Sequence, residues 1–349
     1  MRSILALAVC LALLSGCSAM LEGDRLLVTD HVNQTVLADD PSVLRAENYQ
    51  GLVNGVLYFV SQGMDTGTIQ LAKYTGAPQA DLAAVCEEVQ QEDPLGCYAL
   101  EQVDYEYSRV LSYYECTFRF TYRRTPEQLQ ALRSPSGSPG IRQELARALS
   151  AHQSSAALRI SGYYAQEDTL HTLLEQAYQS IGPAALGFPQ VEMIFYPQMA
   201  NQSQQYIVEL IFSYPLEAAE LARQQQEVTA AIQEQAAVIR PTQGEAALAF
   251  ARQLYYDPAG LSSVHAALLG SGGDSLGVAL ALQSLCQAYG LDCQLVSGTR
   301  NGGTHFWNIV RTEGVYRHLD ASSDDPQLLR DSQMAGYRWE AADYPACPG

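Results

Sequence analysis

Three residues able to carry acyl-transfer chemistry follow one another near the C-terminus: Ser275, His305 and Asp320. A serine hydroxyl becomes a nucleophile only when a histidine takes its proton during attack, and a carboxylate then orients the ring and steadies the imidazolium. Trp307 and Asn308, just beyond the histidine, are candidates to line a ligand surface beside this triad. Serine before an apolar helix also has a simpler use. Its oxygen caps the first turn, a contribution of about 1 kcal/mol. No neighbouring thiol substitutes for the hydroxyl. Cys286 lies eleven residues along the same helix, about 16 Å away at 1.5 Å per residue, and Cys293 lies beyond its far end.

Positioning such a triad needs a helix whose N-terminus faces a small sheet, and residues 270–320 supply both. Gly270–Gly273 and Asp274 turn into an apolar helix that Gly290 stops. Three strands are predicted after it. Cys293–Thr299 leads through Asn301-Gly302-Gly303 into Thr304–Arg311, and Glu313-Gly314 turns that strand into Val315–Asp320.

The order Ser275-Leu276-Gly277, His305-Phe306-Trp307-Asn308 and His318-Leu319-Asp320 resembles the transglutaminase-like superfamily, which shares its core with papain-type cysteine proteases. The resemblance covers roughly residues 240–349. It implies a helix-and-sheet core and a catalytic cysteine two residues before a glycine at the helix start. Here serine holds that place. A thiol at a helix N-terminus beside histidine ionises readily, because dipole and imidazolium both favour the thiolate. A hydroxyl does not, so the resemblance implies degenerate triad positions at Ser275, His305 and Asp320.

The first residues read as an export signal: Arg2, an apolar run over Ile4–Leu14, and Leu14-Ser15-Gly16-Cys17, which resembles a bacterial lipobox. Residues 1–17 are then the signal, and Cys17 the lipidated residue. The expected location is the outer face of the bacterial cell membrane, with the lipid as the only membrane contact. About 330 residues follow, enough for two or three cores. A formal charge of −18 argues against nucleic acid as a partner. Twenty-one tyrosines against eight phenylalanines suggest many half-buried strand positions. Six cysteines remain beyond the lipobox, and an exported chain allows them three disulfides in fifteen connectivities. Cys86 with Cys97 and Cys293 with Cys347 are the expected pairs, while Cys116 and Cys286 fall inside elements, as small buried residues do. No Cys/His spacing points to a metal and no motif to a cofactor.

Between residues 28 and 215 an α-β-α-β-β pattern occurs twice, over about 28–125 and 138–215, at an offset of about 90 residues. The first copy is predicted as helix 41–63, strand 66–74, helix 80–92 and a hairpin over 99–123. The second is helix 139–152, strand 156–164, helix 167–180 and a hairpin over 191–214. Residues 216–239 read as a connecting helix rich in Ala, Glu and Gln, ended by Arg240-Pro241. The expected fold is therefore α+β: a duplicated N-terminal region followed by a transglutaminase-like, papain-like domain over 240–349. Three functions compete. The favoured one is a surface lipoprotein whose inactive transglutaminase-like domain binds an extracellular protein, peptide or cell-wall ligand. The second is an active Ser-His-Asp acyltransferase or amide hydrolase. The third is a scaffold in which the repeat region does the binding.

Overall fold

The computed structural model describes residues 40–161, 167–197 and 205–349. The export signal and Cys17 lie outside the described residues. The protein is α+β, and its described residues form two compact units. One holds residues 40–140, 157–161, 193–197 and 205–209; the other holds 141–156, 167–192 and 210–349. Among the described residues no helix is long and apolar enough to cross a membrane.

The first unit is built on a four-stranded sheet of order β1-β2-β4-β3, with β1 Val43–Arg45, β2 Thr66–Leu71, β3 Leu100–Val110 and β4 Tyr113–Tyr122. β1 and β2 run parallel, and β4 is antiparallel to β2 and to β3. Helix α1, Tyr49–Ser61, starts later than its apolar pattern predicted, because Asn48 caps it by accepting the Gly51 N–H at 2.8 Å. The residues ahead of that cap are extended and pair as β1. Leu52, Val56, Phe59 and Val60 recur at helical spacing and bury against Ile69, Leu71, Phe118 and Phe120 of the sheet. Helices α2 (Pro78–Gln91), α3 (Pro94–Ala99) and α4 (Pro126–Ala131) complete this run.

The next run holds α5 Gly137–Ser150, β5 Ser155–Ser161, α6 Glu167–Gln179, β6 Gln190–Tyr196 and β7 Gln205–Ser213. Its sheet order is β5-β7-β6. Read as helix, strand, helix, hairpin, it repeats the succession of α1, β2, α2, β3 and β4. The strand order matches too, since β2-β4-β3 and β5-β7-β6 both put the last strand in the middle.

In the second unit, α7 (Ala218–Ala236) buries Leu221, Val228 and Ile232 and packs on α9 (Val264–Leu269) and α10 (Ser275–Ala288). The helix expected as a connector is thus part of this core. Helix α8 (Gln243–Arg252) also packs on α10, which is apolar on nearly every side and is buried accordingly. Strand β8 (Tyr256–Leu261) leads into α9, and the other side of α10 covers an antiparallel sheet of order β11-β10-β9-β12, with β9 Cys293–Arg300, β10 Gly303–Thr312, β11 Val315–Leu319 and β12 Tyr337–Arg338. The tight turns form where the sequence placed them. Asn301 and Gly302 take φ of 52° and 88°, and Glu313 and Gly314 take 48° and 83°, the paired left-handed residues that suit a hairpin's twist.

Candidate functional site

Helix α10 opens beside a loop that holds it through one carboxylate. Asp274 is the cap: its Oδ1 accepts the Gly277 N–H at 2.8 Å, and its Oδ2 accepts the Ser262 hydroxyl at 2.5 Å. The Ser262 carbonyl in turn accepts the buried Tyr178 hydroxyl, which itself accepts the Gly187 N–H at 2.8 Å. Gly277 is required here because a Cβ on it would stand 2.7 Å from the Ser263 nitrogen and 3.0 Å from the Leu261 oxygen. Replacing Asp274 with alanine removes the cap and the link to Ser262. The expected loss is about 1–2 kcal/mol of stability, read from urea unfolding.

Capping by Asp274 relieves Ser275 of the structural task its sequence position allowed. Ser275 is the first helical residue, half-buried, and its Oγ accepts the backbone N–H of Phe306 at 3.4 Å. That contact ties the helix start to β10 one residue beyond His305. Ser275 makes no hydrogen bond to the His305 ring. The backbone N–H groups of Ser275 and Leu276 have no partner among the described residues, as is usual for a first turn.

His305, opposite Gly298 of β9, is buried, and its Nε2 meets Asp320 Oδ2 at 2.8 Å. With the proton on Nε2, Nδ1 is the basic nitrogen, and it has no partner among the described residues. Asp320 follows the end of β11 and gathers several further donors. Tyr337 donates its hydroxyl to Oδ2 at 2.7 Å and Arg300 a guanidinium N–H at 3.3 Å. Ser322 donates its N–H and hydroxyl to Oδ1 at 2.9 and 2.6 Å. Burial acts to raise the Asp320 carboxyl, but the hydrogen bonds from His305, Ser322 and Tyr337 outweigh it and hold the group below the usual carboxylate range. Burial first, and then the bond to Asp320, push the Tyr337 phenol up, so it stays a donor.

The structure thus joins His305 to Asp320 and puts Ser275 against the same strand. Trp307 and Asn308 take other roles than the expected one. Both are fully buried and offer no ligand surface. Asn308 faces α10 and donates to the Ala279 carbonyl at 3.1 Å. Trp307 faces the other way, packing edge-on against Tyr337 and Trp339. Arg300, Ser322 and Tyr337 are the residues missed by sequence reasoning. Ser322 had a local signal, since an Asp two residues before a serine favours a side-chain-closed turn. Arg300 and Tyr337 had none.

Behind Trp307 lies a second buried histidine. The Trp307 indole N–H donates to His318 Nδ1 at 3.0 Å, and His318 Nε2 meets Asp331 Oδ1 at 2.9 Å. Asp331 Oδ2 accepts the Cys347 N–H at 2.9 Å. Ligand atoms of His318, Asp331 and Cys347 lie within 4.8 Å of one another, close enough to suggest a cation site. The tautomer argues against one. Nδ1 accepts from Trp307, so a neutral ring carries its proton on Nε2, the nitrogen a metal would need. Burial lowers the His318 pKa, with Asp331 acting in the opposite sense. A histidine whose folded value lies below its unfolded value of about 6.5 contributes full stability above that pH and loses it on acidification. We therefore expect the urea midpoint to fall between pH 7 and 5, and to fall less in His318→Gln.

All six described cysteines are buried thiols. Neither expected pair is bonded. Cys97 turns its sulfur to the Gln90 carbonyl at 3.4 Å, and Cys347 turns its sulfur to the Pro345 carbonyl at 3.9 Å.

No protein-family model matches the chain, and no curated protein matches it. Among solved structures, that of a TGase (transglutaminase) is similar at 12% identity with a TM-score of 0.26. The match covers 55% of this chain and 56% of that one, so the chain spans about half the length of the structure it matches.

Proposed function

We propose that this is an exported, lipid-anchored protein whose Ser275–His305–Asp320 site binds an extracellular protein, peptide or cell-wall ligand without turning it over. The observation that carries the reading is the engagement of Ser275: its oxygen accepts the Phe306 N–H and has no bond to the His305 ring. A serine needs that ring as its general base, because helix dipole and imidazolium together do not ionise a hydroxyl. Asp320 supports the same reading. Its charge is shared among Arg300, Tyr337 and Ser322 as well as His305, which leaves less of it to stabilise an imidazolium. The lipid anchor rests on Leu14-Ser15-Gly16-Cys17 alone.

The test is to incubate the protein with a mixed peptide and muropeptide library and analyse retained and released material by mass spectrometry. Unmodified ligands should be retained by the wild type and lost from a Ser275→Trp variant, whose bulk obstructs the site. Cleaved or transferred products would overturn the reading. One observation favours a second reading, acyl transfer by an active Ser-His-Asp site. Asp274 leaves the Ser275 hydroxyl free of capping, and the Ser275 and Leu276 N–H groups are open donors for an oxyanion.

A further inference from the structure

The turn that closes α10 brings together two cysteines that sequence spacing did not pair. Gly290, at φ 86°, ends the helix, and the Leu291 N–H returns to the Cys286 carbonyl at 2.8 Å. Two residues later β9 opens with Cys293, whose carbonyl accepts the Gln283 side-chain amide at 3.2 Å. Ala279, Gln283 and Cys286 stand four and three residues apart, hence on one face of α10. Ala279 and Gln283 are already tied to this corner of the sheet, Ala279 through Asn308 and Gln283 through Cys293. Cys286 is the next residue of that face, and both cysteines are buried, at 0% and 3% exposure. We propose that Cys286 and Cys293 form a disulfide when the chain folds in the presence of a small-molecule disulfide, joining the end of α10 to the start of β9.

The two side chains already lie within hydrogen-bonding reach of each other. This contact, ahead of burial, raises the Cys293 thiol well above its ordinary value. The chemistry balances by exchange. One thiolate attacks oxidised glutathione and releases one reduced glutathione; the second thiolate then attacks the mixed disulfide and releases another. Two thiols are oxidised, one glutathione disulfide is reduced, and the two protons the cysteines give up pass to the two glutathione thiolates released. Because both sulfurs are buried in the folded state, exchange takes place before α10 closes on the sheet, and the finished bond is shielded from later reductants.

The full chain is refolded in a glutathione redox buffer, unfolded without reductant, alkylated and compared by mass with a reduced control. Two fewer alkyl groups and a linked peptide joining Cys286 to Cys293 are expected. In Cys293→Ser the linked peptide should disappear and Cys286 should become alkylated. A full set of alkylated cysteines, or linkage of either residue to any other cysteine, would overturn the proposal. This result does not depend on whether Ser275 is catalytic or on where the protein resides.

Discussion

Ser275→Cys should create the most reactive thiol among the described residues. The new sulfur would stand at the N-terminus of α10, half-buried, against the strand that carries His305. Thiols at helix N-termini beside histidine ionise with pKa values of about 3.5–7.5, against about 8.5 for free cysteine. At a value near 6.5, half the thiol is ionised at pH 6.5, against about 1% of a free cysteine. The lower basicity of that thiolate reduces its intrinsic nucleophilicity, so the net gain in alkylation rate is roughly 5-fold. Background reaction is low because burial pushes Cys97, Cys116 and Cys347 up to about 11 and Cys86 up to about 12. Iodoacetamide labelling followed by intact mass should show one fast site, slowed again by His305→Ala. A folded variant whose new thiol reacts no faster than free cysteine would mean that the imidazole does not serve this position.

Asp320→Ala should be the most destabilising single change in the site. Asp320 is 5% exposed. Its removal strands the His305 Nε2–H, the Tyr337 hydroxyl, both Ser322 donors and one Arg300 N–H. Breaking one side of a buried charged pair typically costs about 3–5 kcal/mol, because the remaining groups stay desolvated without partners. Asp320→Asn keeps an acceptor and should cost less. Chemical denaturation of the three proteins at pH 7 measures both differences, and an alanine variant within 1 kcal/mol of wild type would contradict the assigned network. The pH dependence has a definite sign. The folded carboxyl lies below the ordinary value, so its stabilisation is present above about pH 4 and is lost as pH falls through the folded value.

The elements that frame the site were legible because their signals are local. Gly290 and the two positive-φ turns at Asn301-Gly302 and Glu313-Gly314 left little choice about where α10 stops and where β9, β10 and β11 begin. The order of the longer helices and strands over residues 49–213 was likewise written in apolar periodicity, while helices α3 and α4 were too short to carry that signal. The contents of the site were harder to read. A cap is one residue, and Asp274 and Ser275 are both good caps, so composition alone did not separate them. Alternation along β10 did not reveal that Trp307 and Asn308 are both sealed in. One face of the sheet is covered by α10 and the other by a C-terminal segment containing Tyr337, Trp339 and Tyr344. Sheets buried on both sides lose the polar alternation that marks an open face. Arg300 reaches Asp320 from twenty residues away, at the end of β9, and Tyr337 from seventeen residues away, on β12, whose pairing with β9 no local pattern announces.

The central claim is that an intact His305–Asp320 pair stands beside a hydroxyl it does not activate. A fluorophosphonate probe tests this most directly, because it bonds only to a serine whose proton is withdrawn during attack. Intact mass after prolonged exposure of the folded wild type should show no adduct at Ser275. Stoichiometric labelling of Ser275, abolished by His305→Ala, would contradict the account.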